Sequence, residues 1–132
     1  MINKEEDMLR NEKGFTLIEI IAVLVILGIL AAVAVPRYIS MMEQSRINAA
    51  QTAIAEVKAR ASSYYAQLTL SGAGTPAIGS VMASVGGSPN LGSDFSATAT
   101  TDTSNNIVIS ITSVKGNTVS VSGTWYWPTS GT

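Results

Sequence analysis

The residues best placed to do chemistry in this chain are few and close together: Gly14, Phe15 and Glu19, at the start of a long apolar run. Gly14 has no side chain, so a protease working at a membrane surface meets bare backbone there, and a cut after it frees an amino group on Phe15. Glu19 stands one helical turn further on and is the only charged residue between positions 15 and 35. A carboxylate at the centre of a membrane helix costs about 2.5 to 3.5 kcal/mol, which makes Glu19 a functional candidate by default. An ammonium on Phe15 can meet that carboxylate within one chain or on a neighbour shifted along a common axis. At about 4 Å and an effective dielectric near 20 the pair gains about 4 kcal/mol before desolvation. Desolvation offsets much of this, so such a pair acts mainly on register, because a misplaced neighbour leaves two charges unpaired among apolar side chains.

Little else in the chain offers reactivity. There is no histidine, so the commonest general base and metal ligand are missing, and no cysteine, which excludes disulfides and thiolate chemistry. Charged residues make up 13% of the 132, about half the usual share, and the net charge of −1 supplies no basic field for nucleic acid. From position 72 onward the only charges are Asp94, Asp102 and Lys115. No catalytic residues, cofactor or metal are therefore expected, and an enzyme is not indicated. Asp102-Thr103-Ser104-Asn105-Asn106, with Asp94 nearby, has the oxygen chemistry of a calcium loop, but also that of an ordinary Asx turn between strands.

Four stretches carry these residues. Residues 1–14 are a polar leader bearing Lys4, Glu5, Glu6, Asp7, Arg10, Glu12 and Lys13. Residues 15–36 form an apolar helix whose length matches a bilayer core. A plain membrane anchor, or a secretory signal cut at Ala32-Val33-Ala34, is the simpler alternative, but a carboxylate in the core and Pro36 just behind the cut both speak against the signal. Residues 37–71 continue the helix amphipathically, with Ile39, Met42, Ala50, Ile54, Val57, Ala61, Tyr64, Tyr65 and Leu68 near a 3.6-residue period and Glu56 and Arg60 spaced for an ion pair. Ser71-Gly72 and Gly74-Thr75-Pro76 stop it. Residues 72–132 are an irregular loop, with a short element near positions 81–85, and then three strands at 95–100, 107–114 and 118–127. The fold class is thus α+β: a long N-terminal helix with a small antiparallel sheet head on its C-terminal half. The alternation in the last strand turns Trp125 and Trp127 toward the helix and Tyr126 outward, the alternative being that the three form a sticky surface for a ligand or the next subunit. Gly28 lowers helix propensity and Pro36 removes a backbone donor, so the helix is expected to bend or partly melt between them.

Lys13-Gly14-Phe15-Thr16-Leu17-Ile18-Glu19, running directly into the apolar segment and followed by Gly28 and Val35-Pro36-Arg37-Tyr38, resembles the processing motif of type IV prepilins and of type II secretion pseudopilins. The resemblance covers about residues 13–40. It implies a precursor inserted once through a bacterial inner membrane, cut between Gly14 and Phe15 by a prepilin peptidase, N-methylated at Phe15 and guided by Glu19 into a helical homo-oligomeric filament. An assembly ATPase and a membrane platform protein would drive the polymerisation, and the filament would lie outside the cell or in the periplasm. A pilus subunit and a pseudopilin or minor pilin of a secretion or DNA-uptake machine both satisfy the motif. Two features depart from the family: no cysteine pair closes a C-terminal loop, and the leader is slightly acidic.

Overall fold

The computed structural model describes residues 14–72 and 74–128, so the leader with Lys13 lies outside the described residues. Two units divide the chain at Met41/Met42.

The first unit holds the beginning of α1, a helix over Leu17–Leu70. From Leu17 to Met42 its large apolar side chains are all exposed, and nothing among the described residues covers them. The helix runs without interruption through Gly28 and Pro36. It is long and apolar enough to cross a membrane.

The second unit supplies its own core. Here α1 buries Ala50, Ala53, Ile54, Val57 and Ala61, while Ala49, Tyr64, Tyr65 and Leu68 pack partly against them. Ile39 and Met42 stay exposed although they lie on the expected apolar stripe, because the covered face begins only near Ala49. The connection after α1 contains α2, a helix over Ile78–Val85 that buries Val81 and Val85. It begins three residues before the expected element, since Ile78, Val81 and Val85 repeat at helical spacing from the end of the Pro76 break.

Three strands follow: β1 over Phe95–Thr101, β2 over Ile107–Val114 and β3 over Asn117–Trp125, in the antiparallel order β1-β2-β3. Central β2 alternates fully buried Ile107, Ile109 and Ile111 with Val108, Ser110 and Thr112 on the other face, and Ala97 and Ala99 of β1 join the buried side. Lys115 and Gly116 both take positive φ, 50° and 75°, forming a two-residue turn that closes Val114 onto Asn117. β3 ends at Trp125, two residues short of the expected strand, yet Trp127 still reaches the core and its backbone N–H donates to the Asn106 side-chain oxygen at 3.0 Å.

Candidate assembly site at the helix start

Thr16 and Glu19 organise the first turn of α1 through reciprocal hydrogen bonds. The Thr16 N–H donates to Glu19 Oε2 at 2.9 Å, and the Glu19 N–H donates to Thr16 Oγ1 at 3.3 Å. The Ile20 N–H reaches the Thr16 carbonyl at 3.3 Å and closes the first helical turn. This is a capping box, in which two of the donors left without partners at a helix start are satisfied by side chains. Its signature, Thr-x-x-Glu before an apolar run, is present in Thr16-Leu17-Ile18-Glu19, and it adds a local role for both residues to the assembly role expected of Glu19.

Gly14 and Phe15 precede the box outside any helix or strand and are exposed, with Phe15 85% exposed. Phe15, Glu19, Ile20, Val23 and Leu24 line an open groove of about 540 Å³ along this stretch. Glu19 Oε1 has no hydrogen-bond partner among the described residues. The arrangement therefore presents an apolar channel with one carboxylate oxygen uncommitted at its N-terminal end. Gly28 and Pro36 lie further along the same exposed helix, both distant in sequence from the box.

The weaker sites resolve differently. Asp102 Oδ1 accepts the N–H groups of Ser104 at 2.8 Å and Asn106 at 2.9 Å, and Oδ2 accepts the Asn106 side-chain amide at 2.9 Å. These donors, the Asn106 side chain foremost, hold the Asp102 carboxyl below the usual carboxylate range. Its oxygens thus serve their own turn, where Asn105 adopts φ 62°. Among the described residues no three Asp, Glu, His or Cys gather as a metal site. Trp125 is buried and donates its indole N–H to Ser62 Oγ at 2.8 Å, Trp127 is half-buried, and Tyr126 is exposed. Tyr65, Trp125 and Trp127 meet edge to face, with centroids 5.2 to 6.2 Å apart. Arg60 pairs with Glu56 and also donates to the Asn90 carbonyl at 2.9 Å, tying the loop after α2 to α1. A shallow groove of about 450 Å³ beside Tyr64, Gln67 and Ser84 has only that paired Glu56 and Arg60 as charges, so it offers no free acid and base.

Comparison with known proteins gives the same direction. Residues 9–35 match the prokaryotic N-terminal methylation motif. The chain is 38% identical over 85 residues, 64% of its length and 70% of the relative's, to the type IV narrow pilus major component PilA5 of Thermus thermophilus. Over 55 residues it is 46% identical to the type II secretion system core protein G of Pseudomonas aeruginosa, covering 42% of this chain but only 39% of that protein. A fimbrial protein of Pseudomonas aeruginosa is 38% identical over 55 residues, 42% of this chain and 36% of its own. No solved structure gives a significant match. With an exposed apolar helix capped by Thr16 and Glu19, a three-stranded head, the methylation motif and a pilin relative matched over most of its length, the chain belongs to the type IV pilin and pseudopilin family.

Proposed function

We propose that this structural subunit is made as a membrane-inserted precursor, is cut after Gly14 and N-methylated at Phe15, and polymerises through α1 into a type IV pilus-like filament outside the cell. The observation that carries the reading is the bare apolar surface of α1 from Leu17 to Met42, beginning at a carboxylate with one oxygen unpartnered among the described residues. Lipid covers that surface before assembly and copies of the same helix cover it afterward. Cleavage leaves the capping box intact, because the Thr16 N–H remains an amide, and places an ammonium one residue before it. Glu19 Oε1 then accepts the Phe15 ammonium of a neighbouring subunit while Oε2 keeps the helix capped.

The partners that follow are a prepilin peptidase, a membrane platform protein and an assembly ATPase. The role is structural and not enzymatic, in keeping with paired charges in the head groove. Gly28 and Pro36 form the weak stretch of the helix, and in the filament it unwinds locally, which faster amide exchange over residues 28–36 than over 20–27 in assembled filaments tests. Equal protection of the two stretches refutes that part.

A pseudopilin role in secretion is the second reading, favoured by the 46% identity to core protein G. That match stops at 55 residues, whereas the match to the narrow-pilus subunit extends over 85, and this supports the pilus. Mass spectrometry of the mature N-terminus tests the core of the proposal: a chain starting at methylated Phe15 is expected. A start at Val35, or an uncut leader, overturns it.

A further inference from the structure

The two edges of the head sheet are not alike. On the β1 side, the Ala99 N–H donates to the Gly87 carbonyl at 2.9 Å, so the loop after α2 covers part of that edge. On the β3 side, no backbone group between Asn117 and Trp125 bonds to anything but β2 among the described residues. Edge strands are ordinarily protected by charge, proline or a bulge. β3 has neither charge nor proline, and its register shift, where Val119 and Ser120 together oppose Thr112, leaves the part paired with Ile107 to Ile111 regular. That regular edge is Val121-Ser122-Gly123-Thr124-Trp125.

The pattern of those five residues reads alike in both directions: apolar, hydroxyl, glycine, hydroxyl, apolar. Laid antiparallel on itself with Gly123 at the centre, Val121 faces Trp125 and Ser122 faces Thr124. An aromatic then meets a β-branched residue on the helix side of the sheet and two hydroxyls meet on the other, both favourable cross-strand pairs, with no like charges opposed. Val121 is left half-exposed at this edge while its β2 partner Ile111 is fully buried, so the same pairing also covers apolar surface. We propose that β3 is a docking edge for β3 of a second copy of this chain, joining two heads into one six-stranded sheet. The contact is isologous, with residues i and j exchanging roles, whereas growth of an open filament needs a heterologous one. It therefore links subunits of different filaments rather than successive subunits of one, and in this it rests on the filament reading.

The absence of cysteine makes the test direct, because any introduced thiol is unique. Facing Cα atoms in an antiparallel pair lie about 4.5 or 5.5 Å apart, within the span a disulfide bridges. Full-length chains carrying Ser122→Cys and Thr124→Cys under different tags are co-expressed, and membranes and sheared filaments are mildly oxidised. The mixed 122–124 dimer is expected to exceed either like-with-like dimer several-fold. Thr98→Cys with Thr100→Cys, on the partly covered β1 edge, is expected to give only the background level. Equal yields on both edges, or no excess of the mixed dimer, overturn the proposal. Ser122→Lys faces Thr124 of the other copy and sets the two new lysines diagonally across the interface, within reach of each other, and is expected to disperse bundled filaments without reducing their number, while Thr98→Lys adds the same charge and leaves bundles intact; bundling unchanged in Ser122→Lys also overturns it. The two readings fail separately: filaments without the mixed dimer refute the edge contact, and the mixed dimer without filaments refutes the filament.

Discussion

At the scale of single residues, Thr16 and Asp102 each satisfy backbone donors with a side-chain oxygen, and each yields a measurable consequence. Thr16→Ala removes the oxygen that caps the Glu19 N–H, a change that costs about 0.5 to 2 kcal/mol at other helix starts. In detergent or membranes the expected result is faster amide exchange confined to residues 17–20, with exchange unchanged beyond residue 24; protection equal to wild type sinks the capping role. For Asp102 the folded-state value is depressed, so its contribution is fully present above the ordinary carboxylate range near 3.9 and is lost as pH falls through the lower folded value. Asp102→Asn should therefore lower the melting temperature of the head at pH 7, and the gap from wild type should close as pH is taken below about 4. A gap that persists unchanged to pH 2 would show that the carboxylate charge is not what matters. The sequence displayed both signatures openly, but differently. The Asx-rich turn was readable with its two alternatives intact, because Asp102 and Asn106 lie in one short loop. The capping box is masked in the sequence, because the charge of Glu19 points to distant partners while its nearest donor lies three residues away.

At the scale of elements, apolar periodicity carried most of the information. Ile107, Ile109 and Ile111 alternate so regularly that β2 could be placed to the residue, and the spacing of Ala50, Ile54, Val57 and Ala61 identified the face of α1 beneath it. What periodicity could not reveal was distance between elements. At Gly123 β3 passes close to α1: a Cβ built there would lie 2.7 Å from Ile54 Cγ2 and 3.2 Å from Lys58 Nζ. The missing side chain of Gly123 is what lets the helix approach. Gly123→Val is expected to destabilise the head by about 1 to 3 kcal/mol, the usual range for forcing extra carbons into a packed site. Ser122→Val, one residue away on the other face, should change stability little, and equal melting temperatures for the two variants would refute close approach as the cause. β3 ends before its alternation does for a related reason. Trp127 keeps the alternation, but it holds its place through Tyr65, Trp125 and the Asn106 oxygen rather than through strand pairing.

At the scale of the whole molecule, the apolar run of α1 has no reason to leave lipid for other helices on hydrophobic grounds alone, because acyl chains are as apolar as leucine. Packing and charge must therefore decide where each subunit stops, and this gives Glu19 two effects of opposite sign. Before assembly the carboxylate is a burden on membrane insertion, about 2.5 to 3.5 kcal/mol at a helix centre. In the proposed filament, with the chain cut after Gly14, it is the acid that meets a Phe15 ammonium inside the bundle. Glu19→Ala should then insert at least as well as wild type and be cut normally after Gly14, while the fraction recovered in sheared filaments collapses. Glu19→Gln separates charge from capping, since its amide oxygen can still accept the Thr16 N–H. It should restore first-turn protection without restoring filaments. If Glu19→Gln instead assembles as well as wild type, the carboxylate acts through the helix cap alone, and register must be set elsewhere along the exposed surface of α1.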